Sequence, residues 1–262
     1  MDPASILSPE VAIVLVAAFA AGFIDSMVGG GGLIQVPALF GVFPTTAPAT
    51  LLGTSKLAGT LGTLSAAARF AHSVHIPWRL LMPPLALIVV CSLAGAFTVS
   101  RVPPEVFRPL VPVALTAVLV YLLRNRELGM QHAPRTLGTH SHAFAMVVIG
   151  AIGVYNGCFG PGTGSFLMLV FIRLFGFDFL HSAASARVLN SAANGAALVC
   201  FGVLGAVMWP LGLAMAACSM TGAFLGARLA IRRGSPFMRH VFLVVVCALI
   251  AKTAWDVLRQ WT

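Results

Sequence analysis

The chain has 262 residues, 59% of them hydrophobic and 9% charged, with a mean hydropathy of +0.96. A soluble domain carries roughly 25% charged residues, so this composition excludes an ordinary soluble fold and fits an integral membrane protein. The formal charge of +9 would suggest nucleic acid in a soluble chain. Here no basic run with interleaved aromatics exists, and arginines in loops facing the cytoplasm and anionic headgroups account for it.

In chain order, a first apolar run, 11–27, reaches Asp25-Ser26-Met27-Val28-Gly29-Gly30-Gly31-Gly32. Four glycines cannot continue a helix cheaply, at about 1 kcal/mol each relative to alanine. In lipid the freed backbone groups must also find partners inside the protein. The stretch is therefore a break in the helix at membrane depth. Ala18-Phe19-Ala20 resembles a signal-peptide cleavage site, but no positive charge precedes it, and the run matches 143–153 further on, so no cleavage is expected. Further apolar segments fall at 33–43, 48–71, 78–99 and 106–123, then, after a polar linker, at 143–158, 164–175, 180–203, 209–227 and 238–256. The runs are unbroken rather than alternating, which argues against a β-barrel. Most approach the ~20 residues that a spanning helix needs. The segments that follow the glycines are about half that length.

The glycine pattern returns 131 residues later as Asn156-Gly157-Cys158-Phe159-Gly160-Pro161-Gly162-Thr163-Gly164. The same offset pairs Gly22 with Gly153, Asp25 with Asn156, Lys56 with Arg187, Trp78 with Trp209 and Gly95 with Gly226. The expected organisation is a first membrane repeat, 1–123, a polar linker, 124–142, and a second membrane repeat, 143–262. The fold class is an all-α polytopic membrane protein with two repeats of about five segments. A glycine-broken hairpin in each would make the repeats inverted; an interrupted single span would make them parallel, four plus four. Loop arginines favour inversion: 8 against 3 across the two sides, compared with 6 against 5 in the parallel arrangement. Inversion places the linker in the cytoplasm and both termini outside. Pseudo-twofold repeats with broken helices are the architecture of many secondary transporters.

Helix N-termini exposed by the breaks favour an anion. Gly29, Gly30, Gly31 and Gly32, with Gly160, Gly162, Thr163 and Gly164, are the expected backbone contacts, although glycines can equally serve close helix packing. Lys56 and Arg187 lie at equal depth in long apolar segments. Charges there are functional candidates by default, and snorkelling to the interface is the alternative. Together they read as an anion clamp, which Asn190 and Asn194 extend along one helix face. Asp25 has three open roles: pairing with Lys56, carrying a proton, or binding a coupling cation. Its counterpart Asn156 makes the halves unequal. Trp78 and Trp209 suit interfacial anchoring.

The five cysteines form no CxxC, and His132, His140 and His142 read as a solvated loop rather than a metal site. Neither a Walker loop, a dinucleotide fingerprint nor a hydrolase motif occurs. No enzyme, cofactor or metal is expected. The expected partners are a small anionic substrate and membrane lipid, with a homodimer as an allowed assembly and no nucleic acid.

Gly22-Phe23-Ile24-Asp25-Ser26, Gly29 to Ile34 and Pro37 resemble the first-half signature of the sulfite exporter TauE/SafE family. Ala49-Thr50, Ser55-Lys56-Leu57 and Ile76-Pro77-Trp78 resemble that half too, and Gly160 to Gly164 with Ala186-Arg187-Val188-Leu189-Asn190 resemble the second. The likeness covers nearly the whole chain except the linker. Thr163 departs from it, standing where a glycine is often seen. The resemblance implies a multi-pass permease of the bacterial inner membrane, usually exporting sulfur-containing anions such as sulfite or organosulfonates. A passive anion channel, or a permease for another small anion, is the alternative.

The arginine bias gives a first prediction. In a background lacking the native cysteines, a cysteine at Thr262 should react with an impermeant thiol reagent added outside, and one at Thr139 should not. The reverse pattern would overturn the orientation.

Overall fold

The structure, a computed structural model, describes residues 9–99, 129–135 and 137–261. It is helical throughout, and no strand occurs among the described residues. The first half supplies α1 (Pro9–Val28), α2 (Gly32–Val42), α3 (Pro48–Ala71) and α4 (Trp78–Val99). The second supplies α5 (Thr139–Cys158), α6 (Thr163–Arg173), α7 (Phe179–Val203) and α8 (Trp209–Trp261). The offset of 131 carries α2 onto α6 at both ends, and carries the first residues of α3 and α4 onto those of α7 and α8. The expected segment 106–123 lies outside the described residues. The segments expected at 209–227 and 238–256 are joined in α8, which breaks its helical geometry at Gly234 (φ 72°) ahead of Pro236.

Among the described residues, four stretches are long and apolar enough to cross a bilayer: Pro9–Val28, Trp78–Thr98, Thr139–Cys158 and Trp209–Ala248. At 1.5 Å per residue α3 and α7 reach about 36 Å and are long enough as well. Their mean hydropathy is lowered by the polar side chains they turn inward, among them Thr54, Lys56 and Thr63 on α3 and Ser182, Arg187, Asn190 and Asn194 on α7, all buried. Trp78 and Trp209 open α4 and α8 and are exposed, as interfacial anchors should be.

The glycine break reverses the chain in the first half. Gly31 folds back against Ala21 and Asp25, where a Cβ would come within 2.6 Å of the Ala21 carbonyl oxygen. Leu39, near the far end of α2, then shares a buried cluster with Val11, Val14 and Ala18 from the start of α1. Thus α2 returns along α1 as a short hairpin arm.

The halves interlock by exchange. Helix α1 packs along α8, and α5 along α4. Small residues make both seams. A Cβ on Gly22 would strike the backbone of Ser219, and one on its counterpart Gly153 would strike Ile88, which is the counterpart of Ser219. Gly226 lies against the Phe23 carbonyl just as Gly95 lies against that of Val154, again at the same offset. Close backbone approach through small residues is how helices associate where lipid removes the hydrophobic drive.

Overpacking a tight seam costs typically 1–3 kcal/mol. Gly95→Ala and Gly226→Ala should therefore each lower the thermal unfolding temperature in detergent, and by similar amounts. Gly41→Ala, which meets nothing within 4 Å, should leave it unchanged. Equal behaviour of all three variants would refute the seam.

Candidate functional site

The two glycine tips meet in the interior. Gly29 (φ +88°) lies on the backbone of Gly164 and Ser165, and Gly32 faces Pro161. The Ser165 hydroxyl donates to the Val28 carbonyl at 2.7 Å, closing the last turn of α1 across the repeats. Gly160 and Gly162 have φ of 95° and 84°, a left-handed backbone that only glycine adopts without strain. A side chain on Gly160 would run into the Lys56 ammonium, and one on Gly164 into the Arg187 guanidinium. The glycines thus serve close packing and also let two cations reach the tips.

Lys56 and Arg187 are each the ninth residue of their helix, and both are buried. Each reaches across to the other repeat. Arg187 Nη1 donates to the Asp25 carbonyl oxygen and lies 2.9 Å from Asp25 Oδ2. Lys56 Nζ donates to the Asn156 carbonyl oxygen at 2.6 Å, to Asn156 Oδ1 at 3.0 Å and to Asn194 Oδ1 at 3.1 Å. Asp25 therefore pairs with Arg187 and not with Lys56, because the tip of each repeat faces the cation-bearing helix of the other. Lys56 is left among neutral oxygens.

A cavity of about 50 Å3 opens between the tips. Asp25, Gly29, Gly31 and Gly32 line it from the first tip, and Gly160, Gly162 and Gly164 from the second. Lys56, Asn190 and Asn194 add polar side chains to its wall, beside Gln35, Ser55, Thr63 and Ser219. Among the expected site residues, Gly30, Thr163, Asn156 and Arg187 lie behind that wall. Thr163 donates to the Gly160 carbonyl at 2.7 Å and holds the second tip. Asn156 Nδ2 donates to Thr163 Oγ1 at 3.2 Å and to Asn194 Oδ1 at 3.1 Å.

Sequence reasoning missed Ser92, whose buried hydroxyl reaches Asn156 Oδ1 at 3.2 Å and Ala193 O at 2.8 Å. A lone serine in an apolar helix carries no signal of that kind. It also missed a cluster near the start of α7. His132 lies exposed in a non-helical stretch, and its ring stacks on His181 at 3.7 Å between ring centroids. Both histidines face Asp178, the α7 N-cap, at 3.7 Å and 2.6 Å from Oδ1. These three are the one group of potential metal ligands among the described residues. Burial alone would raise the Asp178 carboxyl. Hydrogen bonds from the His181 ring and backbone N–H and from Ser235 outweigh it and hold the carboxyl below the usual carboxylate range. Burial, with His181 alongside, lowers His132. The signal available was the D-x-x-H spacing at a helix start.

The family model described as sulfite exporter TauE/SafE matches residues 14–253. A probable membrane transporter protein of Sinorhizobium sp is 35% identical over 247 residues, covering 94% of this chain and 92% of that one. The probable membrane transporter protein YfcA of Escherichia coli K12 is 34% identical over 239 residues, covering 91% and 87%. A probable membrane transporter protein of Haemophilus influenzae is 33% identical over 245 residues, covering 94% of each. No solved structure matches the chain. With the family match and these relatives each spanning nearly its whole length, the chain belongs to the sulfite exporter TauE/SafE family of multi-pass membrane transporters.

Proposed function

We propose that the protein is a secondary transporter that exports small sulfur-containing anions, sulfite above all, across the bacterial inner membrane. The observation that carries this reading is Lys56. Its ammonium is buried, borders the cavity, and is held by three neutral oxygens with no carboxylate among them. A cation at membrane depth costs at least ~2.5 kcal/mol, and a mobile anion is the counter-charge that completes the site. The amides of the glycine tips add donors, and the positive ends of α2 and α6 add field. The cavity, lined by Lys56 and the glycines of both tips, suits a small oxyanion. The sulfur chemistry and the outward direction rest on the family's description.

Two inverted repeats support alternating access in this reading. With the glycine hairpin in each half, and with the apolar stretches 106–123 and 238–256 as the further segments that the sequence leads one to expect, each half would have an odd number of segments and the second half would enter the membrane in the opposite sense. Rocking one bundle against the other would expose the same central cavity to each side in turn.

Charge-assisted hydrogen bonds contribute roughly 1.5–3 kcal/mol each, and 1.4 kcal/mol is tenfold in affinity. Lys56→Gln should weaken sulfite binding by about one to two decades. It should leave folding intact, since no carboxylate is orphaned. Gly162→Leu should abolish binding in protein that still inserts. Titration calorimetry of purified protein against sulfite, sulfate, sulfoacetate, taurine and acetate reads both variants. Wild-type affinity for the preferred anion in folded Lys56→Gln would overturn the assignment.

A further inference from the structure

The crossed pairs are two copies of one arrangement, and they differ in the tip residue, Asp25 against Asn156, and in the cation, Arg187 against Lys56. Asp25 and Asn156 are counterparts at offset 131, as are Arg187 and Lys56. In each copy the cation donates to the backbone carbonyl and to a side-chain oxygen of the tip residue: Arg187 to Asp25, Lys56 to Asn156. In the first copy the other carboxylate oxygen, Asp25 Oδ1, accepts from the Gly31 N–H at 3.1 Å, at the start of α2. Asp25 thus receives what a free oxyanion would receive there: a half-helix amide and a buried cation. In the second copy the matching position of the side chain is the Asn156 amide nitrogen, a donor, turned to Thr163 Oγ1, Asn194 Oδ1 and, at 3.4 Å, Asn190 Oδ1. No negative charge is supplied. Lys56 borders the cavity and Arg187 does not.

A second observation bears on the first copy. Arg187 is fully buried, and its Nε and Nη2 have no hydrogen-bond partner among the described residues. The guanidinium offers five N–H donors in a planar fork. A carboxylate tethered to α1 engages only one of its nitrogens, Nη1, as a ligand on a leash would.

Resting on the reading of Lys56 as the substrate's cation, we propose that Asp25 is a built-in anion. It permanently occupies the first of two equivalent anion sites, so that the symmetric scaffold binds one substrate anion, at Lys56, and not two. The asymmetry of the halves is then a device that sets stoichiometry and confines the substrate to the second site.

The test supplies and removes the tethered charge. Asn156→Asp places a carboxylate oxygen about 3 Å from Lys56 Nζ, where Asn156 Oδ1 now stands. It should reduce sulfite affinity at least a hundredfold; because the Asn156 Nδ2 bonds to Thr163, Asn190 and Asn194 are lost with it, affinity is read on protein shown by its thermal unfolding to be folded. Asp25→Ala removes the built-in anion. Its unfolding temperature should fall, and formate should restore it along a saturable curve, with no comparable rise in wild type. Where Asp25→Ala is too unstable to purify, recovery of folded protein with and without formate in the buffers reads the same rescue. Calorimetry on wild type should give one sulfite per chain. The proposal is overturned by two sulfites per wild-type chain, by full affinity in Asn156→Asp, or by Asp25→Ala that formate does not stabilise. If wild type binds no sulfite, the transport reading fails. The formate rescue, read from stability alone, still decides whether Asp25 is a tethered anion.

Discussion

Two cations buried at membrane depth constrain everything around them. Lys56 and Arg187 cannot be left bare in a low-dielectric interior, where an unpaired charge is far costlier than an unpaired amide. The fold meets this demand by bringing helix tips from the opposite repeat to each of them. Glycines make room for both: a Cβ on Gly160, from the opposite repeat, would occupy the space of the Lys56 ammonium, and one on Gly164, from the same repeat as Arg187, that of the guanidinium. The glycine breaks therefore solve a steric problem and an electrostatic one together. Their exposed amides and the dipoles of α2 and α6 are consequences of the same backbone reversal.

The seams follow from that requirement. For a cation on α3 to meet a tip carried by α5, and a cation on α7 to meet one carried by α1, the halves must interpenetrate. The α1–α8 and α4–α5 contacts do this through matched small residues, Gly22 with Gly153 and Gly95 with Gly226. Apolar burial cannot drive such association in lipid, so backbone-to-backbone packing and interhelical hydrogen bonds hold it. Ser92, bridging Asn156 and α7, and Thr54, accepting the Met208 N–H at 2.9 Å, are bonds of this kind.

The periodic part of this architecture was legible in the residues. The offset of 131 located both tips and both cations, and the helix starts Gly32 and Thr163 obey it. Lys56 and Arg187 stood out because a charge in a long apolar run has no bland explanation twice over. What could not be read was which partner each cation chooses. Asp25 with Lys56 lies within one repeat and Asp25 with Arg187 crosses between repeats, and one sequence is compatible with both. That choice is set by how the halves interlock, through contacts between residues more than a hundred positions apart. The cluster of His132, Asp178 and His181 was hidden for a related reason. The linker's course is set by backbone bonds such as Ala133 N–H to the Gly176 carbonyl and Phe179 N–H to the Gly129 carbonyl, which no side-chain pattern announces.

The neutrality of the Lys56 cage has a further consequence for a carrier. A transporter that binds its anion must also return without it, and the empty site must then be tolerable. A cation held only by its substrate would be stranded when the substrate leaves. Three neutral oxygens, two from Asn156 and one from Asn194, match all three ammonium donors without a carboxylate. A carboxylate in their position would hold Lys56 more strongly and compete with every arriving anion, which is the role Asp25 has at Arg187. The carboxylate that one tip has and the other lacks thus separates a site that is permanently filled from one that can fill and empty. A carrier needs the second kind where its cavity lies, and Lys56, not Arg187, is the cation that borders the cavity.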